Sequence, residues 1–168
     1  MIFETDLPIP NFPGLAGRQI FWARSPEFVT APCRQLFGWW AGRVEDLSSG
    51  NLPRREDFDI VEHSDLAENI YIIAGTAEGF ELRLAGEEYI RLFGLKKGWV
   101  WRSDATDPVM HDSAAFLAFV AQAKRPLRTI GRLELIERHW IELETVVCPL
   151  ALGENGSAKF LGCTAPIA

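Results

Sequence analysis

The 168-residue sequence predicts an α+β fold: a five-stranded antiparallel sheet interrupted by helices and preceded by an amphipathic helix. Three observations predict it. Phe80, Leu82 and Leu84 alternate with Glu81, Arg83 and Ala85, the two-residue period of a strand with two different faces. Residues 30–47 and 108–124 carry apolar side chains at helical spacing. Everything after residue 126 falls into three long runs rich in β-branched and aromatic residues.

Pro8, Pro10 and Pro13, with Gly14 and Gly17, deny residues 1–24 a regular helix or a central strand, so an N-terminal arm is expected there. Residues 25–168 then form a single domain whose first helix occupies about 25–49. Cys33, Leu36, Phe37, Trp40, Val44 and Leu47 make one apolar stripe on it, with Trp39 at the edge. Leu36, Phe37, Trp39, Trp40 and Val44 are candidate interface residues, able to cover either the outer face of the sheet or a second subunit. A polar connector, NLPRREDFD, follows at 51–59, and then one or two helical turns.

Residues 69–76 form the first strand of a hairpin, TAEG turns the chain, and the alternating stretch at 80–85 returns it. After Gly86 the period changes. Glu87 and Glu88 open a short helix carrying Tyr89, Ile90, Leu92 and Phe93, and Gly94 stops it. Residues 95–108 read as a loop anchored by Trp99, Val100 and Trp101. Asp107 and Pro108 start a helix that runs to about Lys124, with Val109, Ser113, Phe116, Leu117 and Val120 on its inner face. Strands at 126–137, 138–151 and 158–167 complete the sheet, with a tight reversal at Glu137 to His139.

A net charge of −6 and the lack of a large Lys/Arg cluster argue against a general nucleic-acid binder. Glu4 and Asp6 stand where a secretory signal would be cationic, and the apolar run at 116–123 is far too short to span a bilayer. Cys33, Cys148 and Cys163 are odd in number and widely spaced, which fits a reducing cytoplasm better than a disulfide framework or a zinc site.

The order of elements, with Trp40, Leu52-Pro53-Arg54-Arg55, Asp57 and Asp59, Arg83-Leu84-Ala85-Gly86, Phe93-Gly94, Ile141-Glu142-Leu143, Pro149-Leu150, Leu161-Gly162 and Ala165-Pro166, resembles the PAS domain. The likeness is to a divergent group of short, stand-alone alphaproteobacterial PAS proteins, and it covers roughly residues 33–167. Ile60 departs from it, standing where that group usually has proline. The resemblance implies a PAS-like five-stranded antiparallel sheet with helices on its concave face, Leu82 and Leu84 facing inward and Arg83 outward. It also implies a non-enzymatic sensory or regulatory module that acts through another protein and as a homodimer.

Residues expected to line a small-molecule cavity are Leu82, Leu84, Tyr89, Phe93, Trp99, Trp101, Phe116, Val120 and Leu133, though the same side chains would serve as a filled core. An apolar or amphipathic ligand suits such a lining. The flavin photosensor's cysteine has no counterpart on EEYIRLFG, and His111, the one haem-ligand candidate among the helices, falls off the inner face; no cofactor or metal is therefore expected. Glu142 and Glu144 share a sheet face where Arg128, Arg132 and Arg138 can pair with them, favouring a structural charge ladder. The alternatives are a small enzyme using Glu142, Glu144 or His111, and a ligand-free dimerisation adaptor.

Overall fold

The computed structural model describes residues 7–47, 50–134 and 140–167. One antiparallel sheet organises the chain. Its strands are β1 (Arg18–Trp22), β2 (Ile70–Gly75), β3 (Gly79–Ala85), β4 (Val100–Arg102), β5 (Leu127–Glu134), β6 (Trp140–Leu150) and β7 (Lys159–Pro166), in the order β1-β5-β6-β7-β2-β3-β4. The five expected strands are contiguous in the middle of this order. The two additional ones lie at the edges and come from segments read as irregular. β1 follows the proline-rich part of the arm and pairs with β5 from Arg18↔Gly131 to Trp22↔Leu127. β4, inside the expected loop, adds three residues to β3. Edge positions demand only one row of backbone partners, so short, weakly patterned segments suffice there.

Each helix has a local boundary signal. Helix α1 (Ala31–Asp46) has Pro32 in its first turn, where no amide hydrogen is needed. Helix α2 (Glu87–Phe93) stops at Gly94, whose φ of 69° lies in the left-handed region. Helix α3 (Pro108–Ala123) is capped by the Asp107 carboxylate, which accepts from the Met110 amide at 2.9 Å.

The two sheet faces carry separate cores. On the outer face, Leu36, Phe37 and Trp40 of α1 pack on Val146, Cys148, Leu161 and Cys163. Trp40 also donates its indole N–H to the Pro149 carbonyl at 2.8 Å. The apolar stripe of α1 is thus occupied by its own sheet. Val44 is half-buried against the same core, and Trp39 meets Phe58 edge-on at 5.0 Å. On the concave face, α3 lies across Leu127, Val147 and Phe160, with Phe12, Leu15 and Trp22 of the arm packed against it. Phe12 to Phe116 and Trp22 to Phe119 are ring contacts at 5.8 and 5.7 Å.

The expected facing of Leu84 is corrected by the register. Ile72 pairs with Leu84 and Ile73 with Leu82, so Arg83 is an extra residue in β3. A bulge of this kind cancels one alternation and re-aims the side chains beyond it. Leu82 accordingly lies in the concave core and Leu84 in the core beneath α1. The expected reversal at 137–139, with Arg138 and His139, lies outside the described residues, as does the side chain of Leu133.

Candidate functional site

Between the concave face and helices α2 and α3 is a cavity of about 390 Å³. That volume lies within the span typical of small-molecule sites, roughly 300–1,000 Å³. Tyr89, Phe93, Trp99, Trp101 and Phe116 line it. Trp99 and Val109 are also exposed, by 38% and 53%, and so mark its opening. Val109 is therefore not a core residue, despite its place on the inner helical face. Leu82 and Val120 are fully buried in the concave core and lie outside the lining, and Leu84 is on the opposite face.

The floor is more polar than the sequence suggested. Thr129, Thr145 and Thr164 stand side by side on β5, β6 and β7, in register Thr129↔Thr145↔Thr164, and all three line the cavity. The hydroxyls of Thr145 and Thr164 are hydrogen-bonded at 3.0 Å. Next to this row the Tyr71 ring lies over Gly162, where a Cβ would stand 2.1 Å from Cζ of the ring. Only glycine leaves that space. Tyr71, Tyr89 and Phe93 then form a ladder of rings with successive centroids 4.7 Å apart. Burial raises the pKa of both phenols, so each remains a protonated O–H donor at neutral pH.

Arg18 is the charged residue that sequence reasoning missed. Arg18, Ile20 and Trp22 alternate onto the concave side of β1, and Arg18 lines the cavity. Its side chain is accessible to solvent, yet burial lowers its pKa from the ordinary guanidinium value, with Tyr71 and Tyr89 acting in the opposite direction. Both facts fit a group that water reaches through the cavity while protein surrounds it. The alternation Arg18-Ile20-Trp22 after Gly17 was the available signal, overshadowed by the prolines before it.

On the other face, Glu144 is fully buried and completely engaged. Its Oε1 accepts from the Thr30 amide at 2.8 Å and the Thr30 hydroxyl at 2.6 Å; its Oε2 accepts from the Val29 amide at 2.9 Å and Arg128 Nε at 2.8 Å. Burial alone would raise its pKa, but the bonds from Thr30, Val29 and Arg128 outweigh it and lower the value. This carboxylate ties the start of α1 to β6 and has no lone pair directed at the cavity. Glu142 and His111 are exposed and outside the cavity lining. Among the described residues no three metal-ligating side chains come together, and no helix is long and apolar enough to cross a membrane.

The architecture is that of a PAS-like α+β domain with a cavity under its helices. Solved structures similar to the chain include an RNA-binding light-oxygen-voltage receptor, 18% identical with a TM-score of 0.45. That match covers 72% of this chain, which spans 36% of the receptor's length. A fungal LOV domain photoreceptor is 12% identical with a TM-score of 0.42, covering 82% of this chain and 94% of that one. The PAS domain of an HTR-like protein from Haloarcula marismortui is 18% identical with a TM-score of 0.39, covering 64% and 96%. No protein-family model matches the chain, and no curated protein matches it.

Proposed function

We propose that the chain is a non-enzymatic sensory module, of the kind found in the stand-alone PAS proteins it resembles, that binds a small amphipathic molecule in its concave-face cavity. Residues 25–168 would act as the sensing unit together with β1 of the 1–24 arm, since Leu15 and Arg18 of that arm line the cavity. The observation that carries this reading is the cavity itself: about 390 Å³ remains open among aromatic and hydroxyl side chains that a ligand-free adaptor would pack together.

The route outward derives from strand geometry. Neighbouring residues of one strand face opposite sides, so Thr145 on the cavity floor adjoins Glu144, which holds Val29 and Thr30 at the head of α1. Thr164 likewise adjoins Cys163, whose carbonyl is 3.4 Å from the Cys33 thiol of α1. A ligand that shifts the floor therefore shifts the seat of α1. The helix presents that change to a signalling protein or to a second copy of the chain.

Native mass spectrometry of the purified protein, with small molecules from its expression host and added amphipathic probes, tests the reading. A non-covalent mass that is lost on denaturation is expected. If no adduct forms with any probe and the unfolding temperature does not respond to them, the cavity is not a ligand site.

A further inference from the structure

The chemistry of the cavity walls restricts the occupant further than its volume does. Arg18 brings a permanent positive charge to the lining, and it forms no ion pair with a carboxylate among the described residues. Asp107 shares the cavity wall, but its carboxylate caps α3. A guanidinium at the cavity wall without a counter-ion is free to make charge-assisted hydrogen bonds to an anion brought beside it. The position of Arg18 is accommodated as well. Its partner across the β1–β5 ladder is Gly131, where a Cβ would lie 2.8 Å from Arg18 Cγ, so the glycine leaves room for the arginine stem.

The neighbouring groups are donors. Thr129 is buried, yet its hydroxyl makes no hydrogen bond among the described residues and faces the cavity. The Thr145–Thr164 pair shares one hydroxyl proton between two oxygens, which leaves its second proton available. The Tyr89 phenol adds another O–H. One cation flanked by hydroxyl donors matches a single negative charge with acceptor oxygens, whereas a phosphate monoester would bring close to two charges. Away from this cluster the walls are apolar: Ile73, Trp101, Phe116 and Leu117.

We propose that the ligand of this cavity is a small amphipathic organic carboxylate, its headgroup held by Arg18 and the Thr129–Thr145 hydroxyls and its apolar body lying against Trp101 and Phe116. The inference rests on the cavity being a ligand site, and it adds the charge and polarity of what enters. A planar guanidinium and a carboxylate make two parallel hydrogen bonds, so lysine is an incomplete substitute for Arg18.

The test compares decanoate and 4-phenylbutyrate with their neutral primary amides, measured by calorimetry and by quenching of tryptophan fluorescence on the full chain at neutral pH. Each acid is expected to bind about tenfold or more tightly than its amide, the ratio a charge-assisted hydrogen bond supplies. Arg18→Met, checked for folding by circular dichroism, should reduce that ratio to near one while retaining the amide affinity, and Arg18→Lys should restore part of it. Acids and amides of equal affinity for the unmodified protein would overturn the carboxylate assignment and leave the cavity reading intact. Binding of none of the four probes would overturn both. An acid preference that survives in Arg18→Met would remove Arg18 from the site. Because the acid-to-amide comparison is made on the unmodified protein, it decides the matter even if the variant does not fold.

Discussion

Glu144 shows how much one buried carboxylate can organise. It accepts four hydrogen bonds that join Arg128 of β5 and the backbone before α1 to the centre of the sheet. Glu144→Gln removes the negative charge and leaves Arg128 buried without its counter-ion, so a loss of about 3–5 kcal/mol is expected in urea denaturation. The sign of the pH effect is set by the lowered folded-state pKa. Below the ordinary value of 4.5 the unfolded carboxylate takes up its proton before the folded one does. The contribution of Glu144 is therefore fully present above that pH and is lost as pH falls through the lower folded-state pKa. Calorimetric melting between about pH 3 and 6 should show a shallower decline in the Gln variant than in the parent. At Gly162 the expectation is steric. Gly162→Ala places a methyl inside the Tyr71 ring, which should cost about 1–3 kcal/mol and weaken cavity ligands by moving the ring off the floor.

At the scale of elements, the bulge in β3 makes Leu82 and Leu84 report on different compartments. Leu84→Ala should leave ligand affinity within about twofold while loosening the packing under α1, where the side chain is only half-buried. Leu82→Ala, in a fully buried position, should cost about 2–5 kcal/mol. Trp40→Ala likewise should cost about 3–5 kcal/mol with sedimentation unchanged, because its ring is buried within one chain instead of between two. How far the sequence discloses these elements depends on patterning. Helices α1 and α3 and the five central strands announce themselves, since amphipathic or fully apolar runs have few other uses. The bulge is invisible in FELRLAG, because an unbroken alternation reads as an unbroken strand; only pairing with β2 shows the extra residue. The aromatic wall of the cavity was legible for the same reason as the core. Its threonine floor was not: Thr129, Thr145 and Thr164 are far apart in sequence and meet only through register.

At the scale of the molecule, the sheet separates a sensing side from a reporting side. Both cores share β6 and β7, so a ligand on the concave face and α1 on the outer face stabilise a common middle layer. Ligand at one hundred times its dissociation constant should raise the unfolding free energy by about 2.7 kcal/mol, seen as a higher melting temperature. Hydrogen exchange should slow in α1 as well as around the cavity, and an effect limited to the cavity wall would contradict the proposed route through Glu144 and Thr145.

The path of the first segment has a consequence for how the protein is made. Phe12 and Leu15 lie against α3, β1 runs along the edge of β5, and α1 rests on β6 and β7. The polypeptide thus clasps the sheet from one side to the other with segments made before the strands they touch. While the nascent chain is on the ribosome, Leu36, Phe37 and Trp40 can meet Phe58, Leu66, Ile70 and Ile72, but the β6 and β7 surface that α1 covers is not yet made, so this helix docks late.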